Sequence, residues 1–233
     1  RIPIIEDAAH AICSKYKDTP CGNIGDIGIF SFDAVKNLAV GEGGGITSKN
    51  KSLIQEAKIL RYCGIGKSGF DSAVSDASDN KMWWEYNISE TFIKMLPTNL
   101  SASIGLAQLK KIDKLQKRRK YIWDYYQNSF SDVESIKCPI EADNKDKHSY
   151  FTYCIRVKNR DKLAKYLLSK EIYTTLRYHP LHMNKIYNQE KVVLANSEKL
   201  NKEALSIPLH PRLTNNEVDL IINEIKKFIK NND

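Results

Sequence analysis

Residues 24–46 read Ile-Gly-Asp-Ile-Gly-Ile-Phe-Ser-Phe-Asp-Ala-Val-Lys-Asn-Leu-Ala-Val-Gly-Glu-Gly-Gly-Gly-Ile. Ile27 to Phe32 form a short apolar run of strand type that leads into a loop of small residues. Ser31 stands near the end of the run, Lys36 follows in the loop, and Gly41, Gly43, Gly44 and Gly45 come after it. A long cation is an unusual occupant of a small-residue loop behind a buried strand. Burial disfavours a lysine's charge and makes its amine a nucleophile, so the stretch points to Lys36 as a Schiff-base lysine. The plainer alternative is a surface lysine in a loop whose glycines serve only a tight turn with positive φ.

The flanking segments read as a layered fold. Residues 2–6 form a short β-like run ending at the acidic pair Glu6-Asp7, and residues 8–12 open a short helix or a loop. Lys15–Asn23, with Asp18, Pro20 and Gly22 as breakers, is a hairpin candidate. Gly45–Ser48 reads as another strand, and residues 50–62 as a helix capped by Asn50 with Leu53, Ala57 and Leu60 on one side. Residues 63–82 are polar and glycine-rich, a loop, followed by Trp83-Trp84-Glu85-Tyr86. Residues 98–129 predict one long helix or two abutting ones, with Thr98 or Asn99 as cap and Ile104, Leu106, Leu109, Ile112 and Leu115 as the apolar stripe. Further on, Tyr150–Val157 and Tyr173–Tyr178 read as extended, and Asp161–Lys170, Ala195–Ser206 and Asn215–Lys230 as helices. The expected fold class is α/β, with residues 1–115 as part of a large domain that includes the start of the long helix. Residues 116–233 form a small α+β domain. The run at residues 2–5 looks like a strand already under way, so we expect sequence upstream of Arg1.

The composition, 42% hydrophobic and 27% charged over 233 residues, is that of a globular chain able to bury a core. The net charge of +8 suits an anionic small molecule, but scattered surface lysines explain it more simply. The basic residues lack an aromatic-interleaved patch, which argues against nucleic acid as a partner. Five cysteines without a CxxC pair argue against both a disulfide framework and a zinc ribbon, and no metal site is expected. No stretch has the length of a membrane span and no signal peptide is visible, so a cytoplasmic setting without membrane attachment is the expectation. The sequons at Asn87 and Asn99 carry no meaning there. Gly66-Lys67-Ser68 resembles the tail of a phosphate-binding loop, but Arg61 stands where its first glycine belongs, and neither HExxH nor GxSxG occurs.

Three more side chains could work with Lys36. Asp7 follows a β run, and a carboxylate at a strand's C-terminal end lies where α/β sheets place ligands. There it could pair with a cationic ring nitrogen; equally, it could cap a helix. His10, if residues 8–12 are helical, comes onto the same side as Asp7 and could lie against a flat ring; a semi-buried histidine with ordinary partners is the alternative. Ser31 could donate to a phosphate oxygen beside the backbone N–H groups of the glycine loop, although serine at a strand end is common.

In order along the chain, Ile5-Glu6-Asp7-Ala8-Ala9-His10-Ala11, Gly25-Asp26-Ile27-Gly28-Ile29-Phe30-Ser31-Phe32, Lys36-Asn37 and Gly41-Glu42-Gly43-Gly44 resemble blocks of one family. So do Ser101-Ala102-Ser103-Ile104-Gly105-Leu106-Ala107-Gln108-Leu109, Pro180-Leu181-His182 and Leu205-Ser206-Ile207-Pro208-Leu209-His210-Pro211. The family is that of the DegT/DnrJ/EryC1/StrS sugar aminotransferases, pyridoxal-phosphate enzymes of fold-type I, and the resemblance runs through essentially the whole chain.

The resemblance implies the C-terminal part of an aspartate aminotransferase-like large domain plus the small domain. It implies that Lys36 bonds the pyridoxal 5'-phosphate, Asp7 faces its pyridine nitrogen, His10 packs at its ring and Ser31 holds its phosphate. A lysine at 36, where a dehydrase branch has histidine, favours transamination. The implied reaction moves an amino group from glutamate to a nucleotide-linked keto sugar for surface polysaccharide or deoxyaminosugar synthesis, in a homodimer. Two departures stand beside this. The family's upstream phosphate-gripping loop is absent, and residues 92–97 do not match the block that reaches the partner subunit's phosphate, leaving Lys94 as a candidate there. Arg177, Tyr178 and His182 are candidates for the nucleotide diphosphate or for ordinary packing. An inactive remnant, or a dehydratase or epimerase on the same sugars, are the rival readings.

Overall fold

The computed structural model describes residues 1–66, 84, 86–187 and 192–232. The chain divides into two compact units, Arg1–Ile112 with Asn144–Ser149, and Asp113–Asp143 with Tyr150–Asp233. Most of the loop read over residues 63–82, and Trp83 and Glu85 after it, lie outside the described residues.

The first unit is built on a three-stranded sheet of β1 (Ile5–Asp7), β4 (Ile27–Ser31) and β5 (Gly44–Thr47), in the order β1-β4-β5. β1 runs parallel to β4, with Ile5 opposite Ile27 and Asp7 opposite Ile29. β4 runs antiparallel to β5, with Ser31 opposite Gly44. Between β1 and β4 lies a small antiparallel hairpin of β2 (Lys15–Tyr16) and β3 (Thr19–Pro20). Its turn residues Lys17 and Asp18 both have positive φ, 46° and 63°, the pairing whose twist suits a two-residue hairpin loop.

Side chains alternate across a strand, so Glu6, Gly28, Phe30 and Thr47 share one face of this sheet. The chain around Gly22 crosses that face so closely that a Cβ on Gly28 would lie 2.3 Å from the Gly22 carbonyl oxygen and 2.5 Å from its Cα. Glu6 holds the crossing segment down. Its Oε1 accepts from Gly22 N–H at 2.5 Å, and its Oε2 accepts from Ile24 and Gly25 N–H at 3.1 and 3.3 Å. Burial pushes the Glu6 carboxyl up, but the three backbone donors outweigh it and hold the group below its ordinary value.

The strand expected at residues 2–6 begins only at Ile5. The Asp26 carboxylate accepts from Ile4 N–H at 2.9 Å, and so takes the donor that a ladder would have used. On the other face, helix α1 (Lys51–Leu60) sets Leu53, Ile54, Ala57 and Leu60 around the same apolar space as Ile27 and Ile46. Asn50 caps it, accepting from Ser52 N–H at 2.9 Å. The long helical region is two helices, α2 (Asn99–Leu109), capped by Thr98, and α3 (Ile112–Phe130). Of the expected stripe, Ile112 is buried whereas Ile104, Leu106 and Leu109 are exposed. α2 spreads its apolar residues around its axis, so no single side of it is a core face.

The second unit packs α3, α4 (Arg160–Leu168) and α6 (Asn215–Asn232) with the antiparallel pair β6 (Tyr153–Arg156) and β7 (Ala204–Ile207). Its core includes Ile122, Tyr126, Phe130, Tyr153, Ile155, Leu163, Leu167, Val218, Ile221 and Ile225. Arg119 is buried within it and donates to the carbonyls of Leu209, Tyr150 and Phe151 at 2.9, 3.3 and 3.5 Å. Burial pulls its pKa down to about 10. The helix expected over Ala195–Ser206 is α5 (Ala195–Glu203), which passes directly into β7. All four β7 residues are buried, so the strand lacks alternation and continues the helix's apolar pattern without a breaker. Thr175, within the stretch read as extended, pairs with Ser206 through bonds of 3.0 and 2.8 Å.

Candidate functional site

Asp7 and Ser31 come together through the register of β1 and β4. Asp7 lies opposite Ile29, and Ser31, two residues on, shares the face of Ile29. The two side chains therefore share one face at the C-terminal ends of neighbouring parallel strands, where α/β sheets place ligands. The Asp7 carboxylate, through Oδ1, accepts from Ala9 N–H at 3.0 Å. This resembles a cap, but successive turns follow instead of a helix, with Ala11 N–H on the Ala8 carbonyl and Ser14 N–H on the Ala11 carbonyl, both at 2.9 Å. The helical spacing that was to bring His10 beside Asp7 is thus replaced by a turn. His10 is half-buried in it, and its carbonyl accepts from Ser149 Oγ at 2.6 Å.

Lys36 sits half-buried in the loop between β4 and β5. Phe32 closes the loop at its base, donating to the Gly43 carbonyl and accepting from Val40 N–H, both at 2.8 Å. The first turn is set by Asp33. Its carboxylate accepts from Val35 N–H at 3.1 Å and its carbonyl from Lys36 N–H at 3.0 Å. Ser31 Oγ accepts from Asp33 N–H at 3.4 Å, so the serine and the lysine are joined through one short turn. Gly41 has φ +91° with open space about it, which makes it a position for glycine on conformational grounds alone. α2 backs the loop, since a Cβ on Gly105 would stand 3.1 Å from Val40 Cγ1.

Two residues of this neighbourhood escaped the sequence reading. Asn37, next to Lys36, is buried and donates through Nδ2 to the Ser149 carbonyl at 2.6 Å. Ser149, also buried, belongs to the 144–149 segment of the same unit, which also pairs Lys147 with Lys15 of β2. A polar residue beside the lysine is the only local signal for Asn37; for Ser149 there is none.

Of the further candidates, Lys94 lies in the first unit with its ammonium 5.9 Å from the centre of the Tyr62 ring. In the second unit the Arg177 guanidinium lies over the Phe151 ring at 5.1 Å and donates to the Tyr178 hydroxyl at 3.1 Å. His182 Nε2 is 3.3 Å from Glu198 Oε1. Leu194 N–H, then His182, hold the Glu198 carboxyl below its usual range. Among the described residues, no group of three or more His, Cys, Asp or Glu is arranged to hold a metal ion, and no helix is long and apolar enough to cross a membrane.

The arrangement thus offers a carboxylate and a hydroxyl at the ends of two parallel strands, and a lysine in the loop that follows. Comparison with known proteins bears directly on it. Residues 1–226 match the model of the DegT/DnrJ/EryC1/StrS aminotransferase family. Over 97% of its length the chain is 33% identical to a dTDP-4-dehydro-2,3,6-trideoxy-D-glucose 4-aminotransferase of Saccharopolyspora spinosa, covering 58% of that protein. It is 31% identical to the spore coat polysaccharide biosynthesis protein SpsC of Bacillus subtilis, with 99% of the chain matched to 60% of the relative. A solved sugar aminotransferase of Streptococcus pneumoniae in its PMP form superposes with a TM-score of 0.88 at 31% identity, over 99% of this chain and 60% of that one. The same protein has been solved in a PLP form. The chain therefore spans about 60% of the length of the relatives it matches. It belongs to the DegT/DnrJ/EryC1/StrS aminotransferase family, with the fold-type I architecture and the pyridoxal-phosphate dependence of that family.

Proposed function

We propose that this chain carries the lysine-bearing part of the active site of an enzyme that moves an amino group from an amino acid, glutamate, to the keto group of a nucleotide-linked sugar. In this reading Arg1–Ile112 with Asn144–Ser149 belongs to the cofactor domain. The observation that carries it is the placement of Asp7 and Ser31 on one face at the ends of adjacent parallel strands, with Lys36 on the closed loop that follows Ser31.

The donor set fits pyridoxal phosphate. Its ring nitrogen calls for a carboxylate, its phosphate for a hydroxyl with backbone N–H groups nearby, and its aldehyde for a primary amine. Asp7, Ser31 and Lys36 are these groups, and His10, in the turn that follows Asp7, is assigned to flank the ring. When bound, the cofactor supplies an aldehyde that takes up and hands on the amino group, and a ring that withdraws electrons. Asp7, already oriented by Ala9 N–H, would hold a proton on the ring nitrogen. Ser31 would donate to the phosphate. Lys36 Nζ would hold the aldehyde carbon, with loss of water, and, once displaced by the donor's amino group, would move the proton of the donor's amino-bearing carbon. Placed general acid–base groups of this kind contribute about 10²–10⁴-fold.

The names of the relatives support a sugar substrate, and that of the B. subtilis protein supports an outlet in polysaccharide synthesis. A homodimer belongs to the same proposal, with exposed Leu100, Leu106 and Leu109 on α2 supplying apolar surface for it. So does a cytoplasmic location, with which five cysteines outside any disulfide agree. The test is spectroscopic and chemical. The protein with added pyridoxal phosphate gains a visible absorbance band that Lys36→Ala lacks, and with glutamate and a keto sugar nucleotide it releases 2-oxoglutarate. An alanine variant that captures cofactor through the same bond, or a sugar product formed without 2-oxoglutarate, refutes the assignment.

A further inference from the structure

Asn37 and Ser149 have no part in the chemistry above, yet they join two of its members. Asn37 Nδ2 donates to the Ser149 carbonyl at 2.6 Å, and Ser149 Oγ donates to the His10 carbonyl at 2.6 Å. Two short bonds thus run from the residue beside Lys36, through a residue far along the chain, to the backbone of His10. Both connecting side chains are buried, each at 7% exposure, so water competes little for these bonds.

Stability alone does not account for the amide at 37. A carbonyl only accepts, so the side of the Asn37 amide that faces Ser149 must be the NH₂ group. Its Oδ1 is buried and, among the described residues, has no hydrogen-bond partner. A buried acceptor left in that state is unfavourable, and an apolar side chain of similar size would avoid the loss. The bond to Ser149 must therefore serve the geometry of the loop. The other backbone bonds of the loop lie at its base, at Phe32, Val40 and Gly43, and in the turn at Asp33. The stretch just after Lys36 is fixed by Asn37. A lysine has four rotatable bonds, so its amine can be aimed only if its Cα is held.

We propose that Asn37 and Ser149 are positioning residues for the cofactor-bonding lysine. They lock the Lys36 loop to the His10 turn and so set where Nζ stands relative to the ring that His10 flanks. The carbonyl clamp fixes the His10 backbone. The inference rests on the assignment of Lys36 and His10 given above.

The experiment uses the full-length protein and pyridoxal phosphate. It reads the rate of cofactor capture from the visible band, the pH midpoint of that band, and borohydride trapping at Lys36 by peptide mass. Ser149→Ala deletes one hydroxyl and cuts only the bond to His10; Asn37→Ala frees the loop. Both are expected to slow capture and trapping by about ten- to a hundredfold, the effect of misplacing a reacting group by an ångström, and to move the pH midpoint. Ser149→Thr, which keeps a hydroxyl, restores both. Where Asn37→Ala does not fold, Ser149→Ala and Ser149→Thr decide. Capture at the wild-type rate with an unmoved midpoint in Ser149→Ala, while Lys36→Ala captures nothing, overturns the positioning role and leaves the functional assignment standing. Failure of Ser149→Thr to restore the rate also overturns it. Capture by Lys36→Ala at the wild-type rate overturns the assignment itself.

Discussion

Glu6→Gln tests the packing that supports the site. The wild-type carboxylate accepts three backbone N–H groups, one on Oε1 at 2.5 Å and two on Oε2 at 3.1 and 3.3 Å. Glutamine offers one oxygen and an NH₂ group. It can keep the two longer bonds and set its NH₂ against Gly22 N–H, or keep the short bond and lose the other two. Hydrogen bonds to a charged group contribute about 1.5–3 kcal/mol each, and a donor left without a partner costs about 1–3 kcal/mol. Water reaches part of this side chain, so we take the lower end, about 2 kcal/mol, which for a chain of this size lowers Tm by about 4–8 °C. The pH dependence follows from the lowered carboxyl. As the pH falls through the ordinary glutamate range, about 4.3, the unfolded chain takes up the proton first, and the stabilisation is lost as the pH goes on through the lower folded value. The gap between wild type and variant is therefore full at neutral pH and closes in acid. Thermal melts followed by circular dichroism at pH 7 and at progressively lower pH measure both. Melting within about 1 °C of wild type at pH 7, or a gap that is the same in acid, refutes the reasoning.

Gly28→Ala puts a methyl group 2.3 Å from the Gly22 carbonyl oxygen and 2.6 Å from Thr47 Oγ1; a loss of about 3 kcal/mol is expected on thermal melting. Arg119→Met keeps the apolar stem but leaves the carbonyls of Leu209, Tyr150 and Phe151 without their donor, and denaturant titration should show a loss of about 3 kcal/mol. Asp7→Asn still captures cofactor through Lys36 but releases 2-oxoglutarate from glutamate about 10²–10⁴-fold more slowly; an unchanged rate removes Asp7 from the role proposed for it.

Where a signal was local, the sequence was enough. Asn50 and Thr98 cap the helices that their positions announced, and the breakers between Lys15 and Asn23 mark a real hairpin. β4 was legible because an apolar run met a glycine loop. β7 was not, because a strand buried on every residue shows no alternation and α5 runs into it without a break. Glu6 read as half of an acidic pair, yet its partners are the N–H groups of Gly22, Ile24 and Gly25, which no side-chain pattern encodes. Asp7, Ser31 and Lys36 could be picked out as chemistry-bearing types at suggestive offsets, but that Asp7 and Ser31 share a face depends on strand register. Ser149 lay beyond reach, since its bonds to Asn37 and His10 cross 112 and 139 residues.

Those long spans bear on how the protein is made. A ribosome adds about 5–20 residues per second, so His10 is added roughly 7–28 s before Ser149. Throughout that interval the nascent chain can pair β1 with β4 and close the loop around Lys36, but the clasp between loop and turn cannot form. The unfinished site is then open to aldehydes and to chaperones alike. Cofactor added during translation should be captured firmly only once the 144–149 segment has emerged.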